Sequence, residues 1–151
     1  MQSWGLTNPG CVRKQNQDSY RIEQLDRGNL LCIVCDGMGG AKSGNIASSL
    51  AVDVFVEEVR RCWKPVMEQD KVDQMLRSAV KLANFTVYDQ SRQFEEFDGM
   101  GTTLVAVMVR GRKATIVNVG DSRAYHVGKS GIRYGLRDTH AGDFTSIFHG
   151  T

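Results

Sequence analysis

The sequence predicts an α+β fold, with antiparallel sheets covered by helices, on three observations. Strand-like segments fill the first third, two helical stripes occupy the middle, and strand-like segments return afterwards. Strands and helices that come in blocks point to that layout, whereas single alternation would point to a parallel sheet. A length of 151 residues suits one domain and is short for two.

In the first block, Trp4-Gly5-Leu6-Thr7 is a short candidate strand, and Ser19 to Leu25 alternates polar with apolar side chains. Asn29 to Cys35 is an apolar run read as a buried strand, and Asp26-Arg27-Gly28-Asn29 between them is a hairpin turn signal. The first helix is marked by Ile46, Ala47, Leu50, Ala51, Val54, Phe55 and Val59, which recur every three or four residues as one apolar stripe. Val72, Met75, Leu76, Ala79, Ala83 and Val87 mark the second. Trp63-Lys64-Pro65 ends the first helix, because proline disfavours helical geometry in the residue before it.

Thr102 to Val109 is β-branched and ends at the turn Arg110-Gly111-Arg112-Lys113, with Ala114 to Val119 as the return strand. Gly120-Asp121-Ser122-Arg123 turns into Ala124 to Val127, and Gly128 to Gly131 forms a hairpin turn before Ile132-Arg133-Tyr134. From Leu136 to Thr151 neither period persists. Residues 1–135 are therefore read as the patterned domain and 136–151 as an irregular tail.

Composition narrows the function classes. Hydrophobic residues are 41% and charged residues 24%, the balance of a globular protein. The net charge is +2 and no stretch gathers Lys and Arg into a patch, so neither nucleic acid nor a membrane surface is expected as a partner. No leader and no apolar span of about 18 residues is visible, which gives a cytoplasmic expectation. Four cysteines suit that compartment as free thiols. Cys32 and Cys35 have redox or zinc spacing, yet an odd offset on a strand sends their sulfurs to opposite faces, and no second pair completes a zinc site. Core packing is the expected role for both.

Three features carry chemistry. Val34-Cys35-Asp36-Gly37-Met38-Gly39-Gly40 places an acid at the end of a strand, where the strand fixes the carboxylate and Gly37 lets a backbone carbonyl turn to the same cation. Arg13-Lys14-Gln15-Asn16-Gln17-Asp18 offers an arginine suited to bidentate phosphate binding, with a carboxylate five residues on. Gly101-Thr102-Thr103 and Gly120-Asp121-Ser122-Arg123 flank a hairpin, and Asp121 is either a metal ligand or a solvated turn acid.

Taken together, these motifs resemble those of the metal-dependent protein serine/threonine phosphatases of type 2C, the PPM family, in its bacterial form. The family carries Arg-x-x-Asn-x-Asp, Asp-Gly-Met-Gly-Gly, Gly-Thr-Thr and Gly-Asp-Ser-Arg in this order, and the likeness covers about Leu6 to Tyr134. It implies a four-layer α-β-β-α sandwich of two antiparallel sheets between helix pairs. By the same resemblance Asp36 bridges two Mg²⁺ or Mn²⁺ ions and the Gly37 carbonyl binds one of them. Asp18 sits in the outer shell, holding metal-bound water. Arg13 grips the substrate phosphate, and Asp121 matches a residue that can contact a third metal. The implied activity is hydrolysis of phosphoserine and phosphothreonine in proteins, opposing a cognate serine/threonine kinase.

The sequence also departs from the family pattern. Ala41 and Asn45 stand where bacterial members usually carry His and Glu, and Met38 stands where eukaryotic members have His. Two further metal aspartates, in Asp-Gly and Asp-Asn motifs, have no counterpart after Tyr134, where only Asp138 and Asp143 remain. A frameshift or truncation near Gly135, open sheet edges and weak metal binding are the expectations. The alternative function is a catalytically dead domain that holds a phosphoprotein through Arg13. A nucleotide-binding reading of Gly37 to Ser43 fails, because Ala41 and Asp36 occupy the glycine places and an acid there repels phosphate.

Overall fold

The computed structural model describes residues 1–12, 15–39, 43–129, 131–134 and 146–150, with 133–134 and 146–150 described by backbone alone. Strands β1 (Asp18–Asp26) and β2 (Asn29–Met38) form a hairpin, followed by helices α1 (Gly44–Cys62) and α2 (Gln69–Gln93). A 3-10 turn at Glu95–Phe97 leads into β3 (Gly101–Thr102), β4 (Leu104–Arg110) and β5 (Lys113–Val119). Strands β6 (Tyr125–Gly128), β7 (Gly131–Tyr134) and β8 (Ser146–Gly150) complete the order. The main sheet runs β1-β2-β4-β5-β8, all antiparallel, with β3 beside β2, and β6–β7 is a separate hairpin. The fold is α+β: helix pair, sheet, and a two-stranded ribbon apart from it.

Alternation along β2 decides which face is core. Leu31, Ile33, Cys35 and Gly37 are buried toward the helices, whereas Val34 is 47% exposed on the opposite face and Cys32 is half-buried. The apolar run from Asn29 is thus only half interior, because helices cover one face of the sheet. Cys32 and Cys35 do face opposite ways, so only Cys35 lies in the core. Burial pushes the Cys35 thiol up to about 12, with the Thr102 hydroxyl opposing, so it carries no thiolate at neutral pH.

The helices fill the other side. Every apolar position expected on α2 is buried, joined by Val80. On α1 the buried arc is Ala47, Ser48, Ala51, Val52, Phe55, Val56 and Val59, while Ile46, Leu50 and Val54 are partly buried. The stripe is therefore turned from its expected centre, since α1 is wedged between the sheet and α2 and needs a wider apolar arc. Alternate residues of β1 meet α1 in three rungs: Ser19 Oγ with Ser48 Oγ at 2.9 Å, Arg21 with Asp53, and Glu23 with Arg60 at 3.3 Å. The two ion pairs are part-exposed and hold register more than they add stability.

Trp63 leaves helical geometry at ψ 136°, ending α1 where Pro65 was expected to end it. Its indole Nε1 donates to Asp26 Oδ2 at 3.1 Å, tying the helix end to the β1–β2 turn. The Gly28 backbone N–H, then the Asn29 side chain and the Trp63 indole, hold the Asp26 carboxyl below the usual aspartate range against the opposing effect of burial. A depressed folded value means this cluster stabilises the fold above the unfolded pKa and is lost as pH falls through the folded one. Trp63→Phe is expected to move the Asp26 titration, read by carboxyl carbon NMR, upward toward the ordinary value and to move acid unfolding to higher pH.

Three expectations change. Trp4 to Thr7 forms no strand, and Trp4 and Leu6 are exposed. Gly5 instead lies so close to the Tyr20 ring that a Cβ there would sit 2.2 Å from Tyr20 Cε2. Thr102 to Val109 divides into β3 and β4 at Thr103. The tail read as irregular contains β8, which pairs with β5 from Ala114↔Gly150 to Asn118↔Ser146 and so covers that strand's expected open edge. Ser-Ile-Phe-His-Gly is too short to show a period of two against its neighbours, so the pairing was invisible in the sequence.

Candidate active site

Antiparallel pairing brings the first two candidate acids together. Asp18 opens β1 and Asp36 lies near the end of β2, and the two are direct cross-strand partners. Residues paired in this way project from the same face with Cβ atoms about 5 Å apart. That face is the one the helices leave uncovered, and the Asp36 residue is exposed there. Two carboxylates aligned at a strand end form an oxygen-only donor set, which suits a hard cation such as Mg²⁺ or Mn²⁺.

The backbone around Asp36 is unusually well held. Its carbonyl accepts from the Thr103 N–H at 2.9 Å and from the Thr102 hydroxyl at 3.0 Å. The Asp36 N–H donates to Thr103 Oγ1 at 3.0 Å, a side-chain oxygen in the place of the usual carbonyl. The same Thr102 hydroxyl shares its single proton with Thr103's own carbonyl, 2.9 Å away. This rung explains the break between β3 and β4, since the register is the same on either side: Val34↔Val105 and Gly37↔Thr102. Thr103 Oγ1 also lies 2.6 Å from Ser122 Oγ. The Gly-Thr-Thr motif is therefore the splice between the strand tip and the Gly-Asp-Ser-Arg turn. Sequence reading quoted both motifs without finding this bond, because it spans residues far apart in the chain.

Thr103→Val keeps the shape and removes the hydroxyl that serves both Asp36 and Ser122. An Asp36 N–H left without an acceptor is expected to cost about 1–2 kcal/mol, measured as a lowered urea midpoint with unchanged slope.

Gly37 is needed here for space. It is absent from the positive-φ glycines, but a Cβ there would meet the Gly44 carbonyl oxygen at 1.9 Å and the Gln17 carbonyl oxygen at 2.6 Å. Its N–H donates to Gln17 O at 3.0 Å. The start of α1 and the stretch before β1 thus both close on this glycine. Asn16 Oδ1 accepts from the Asp18 N–H at 3.0 Å and so sets the entry to β1.

Asp121 is exposed, one residue before Ser122 and one after Gly120, whose φ of +95° and contact with the Thr103 methyl require glycine. The buried Asn118 side chain donates to the Gly120 carbonyl at 3.3 Å. Asp121 is thereby hung at the same sheet end as Asp36, but among the described residues no three His, Cys, Asp or Glu side chains cluster closely enough to hold a metal. Arg13 lies outside the described residues, as do Ala41, Asp138 and Asp143. Asn45, in the first turn of α1, has a buried Oδ1 with no hydrogen-bond partner among the described residues.

The chain is similar in sequence and in fold to known proteins. The serine/threonine phosphatase stp of Listeria welshimeri serovar 6b is 30% identical over 130 residues, covering 84% of this chain and 50% of that protein. The crystal structure of serine/threonine phosphatase Stp1 from Staphylococcus aureus superposes with a TM-score of 0.79 at 34% identity, covering 88% of this chain and 52% of that one. The catalytic domain of the serine threonine protein phosphatase PstP, solved in complex with 2 manganese ions, gives a TM-score of 0.66 at 28% identity over 85% of this chain and 52% of that one. The chain spans about half the length of the curated relatives it matches. The family description of protein phosphatase 2C matches residues 12–151, including the β8 segment. The fold, the paired acids and this match agree: the chain belongs to the protein phosphatase 2C family.

Proposed function

We propose that this chain carries the N-terminal part of a metal-dependent phosphatase site that hydrolyses phosphoserine and phosphothreonine in proteins, opposing a serine/threonine kinase. The observation that carries the reading is the Asp18↔Asp36 pairing at a strand tip held by Thr102 and Thr103. Asp36 and the Gly37 carbonyl would hold a pair of Mg²⁺ or Mn²⁺ ions, with Asp18 in the outer shell and Asp121 toward a third. Bound there, such ions acidify water and neutralise phosphoryl charge. Arg13 would orient the phosphate by a bidentate contact, and Asp18 would orient the attacking water through its carboxylate.

The test is release of inorganic phosphate from a phosphothreonine peptide by the purified chain, with Mn²⁺ and with chelator. Mn²⁺-dependent release supports the reading. The second reading is a phosphatase-like domain that holds a phosphoprotein through Arg13 without turnover. Peptide binding with no phosphate release selects that one.

A further inference from the structure

We infer that a cavity between the helix pair and the sheet is a binding site for a small neutral aromatic molecule, separate from the paired acids but sharing a wall with them. The cavity measures about 270 Å³, larger than the ~150 Å³ apolar cavity that takes up benzene. It exists because the packing surfaces carry small residues there: Ala51 on α1, Ala83 on α2 and Gly101 on β3. Val87, Leu104 and Val119 complete an apolar interior.

No charged side chain lines it among the described residues, which excludes phosphates, carboxylates and metal ions as occupants. The polar residues of its lining are Asn84 and Tyr88, at exposed α2 positions, and Thr102 on the sheet side. A few polar groups around an apolar interior match a flat ring bearing one hydrogen-bonding group. Met38 is also in the lining and is 62% exposed, a flexible side chain that can adapt to a guest.

The shared wall is Thr102. Thr102 lines the cavity, its hydroxyl donates to the Asp36 carbonyl, and its backbone pairs with Gly37. A guest in the cavity therefore presses on the residue that positions the strand tip. The inference does not depend on the phosphatase reading, because it needs no metal and no turnover.

Indole is the probe, titrated into the whole chain labelled at methionine methyl carbons and backbone nitrogens. The expected result is saturable binding with a dissociation constant of about 1 mM or tighter. Met38 and Met100 shift together while Met67, at the far end of the sheet, stays still, and the Gly37 and Thr103 amides follow the same curve. Ala83→Leu, which fills the cavity, is expected to weaken binding about tenfold or more. No saturation by about 10 mM, shifts spread evenly over all methionines, or still amides at Gly37 and Thr103 would overturn the inference. So would a folded Ala83→Leu that binds as before. Should that variant fail to fold, the pattern of methyl and amide shifts in the unaltered chain decides.

Discussion

Asp36→Asn is expected to lower Mn²⁺-dependent hydrolysis of p-nitrophenyl phosphate by about three orders of magnitude or more, because it removes the only carboxylate proposed to hold the metal pair directly. The substitution keeps size and shape, and the backbone bonds that hold the strand tip remain: N–H to Thr103 Oγ1, and C=O from Thr103 N–H and Thr102 Oγ1. Urea unfolding of the variant checks that the fold survives. Isothermal titration with Mn²⁺ is the companion measurement, and affinity should fall in parallel. A variant that still hydrolyses the ester at more than about a tenth of the original rate would remove Asp36 from the proposed role. Asp18→Asn should cost less, since an outer-shell carboxylate acts through water.

Gly37→Ala is the largest expected loss of stability at the site, about 3 kcal/mol or more by urea unfolding. The added methyl would overlap the Gly44 carbonyl oxygen, a backbone atom that cannot swing aside. Either the start of α1 must lift from the sheet or the strand tip must bend, and each disturbs the pairing of Asp36 with Asp18. Gly99→Ala is the matched control. It has φ +71° with nothing within 4 Å of its would-be Cβ, so only backbone conformation is affected, at about 1–2 kcal/mol. Equal losses in the two variants would show that the contact with Gly44 does not matter.

Much of this architecture was legible because periodicity is a local signal. The α2 stripe from Val72 to Val87 was readable because the helix shows its buried face within its own length, and the β2 run was readable as a strand though not as one exposed on one face. The α1 arc was misplaced by about one position because its burial depends on two neighbours, sheet and α2, and a single helix does not display both. β8 was missed for the same reason: its five residues earn strand identity only from β5 beside them. Around the strand tip, the motifs singled out Asp18 and Asp36, which the fold pairs, while the hydroxyl splice through Thr103 and Ser122 needed three dimensions. That Gly37 must carry no side chain was readable, but the atoms that forbid one, the Gly44 and Gln17 carbonyl oxygens, come from other segments of the chain.

The hydroxyl rung at Thr103 ties the chemistry to the folding reaction. Its partner, Asp36, is 67 residues away, so the strand tip acquires this shape only once β4 has closed on β2. Such distant closures come late and cooperatively. No short segment of this chain can then be a miniature of the site, and any cation bound there would raise the melting temperature in step with its own occupancy.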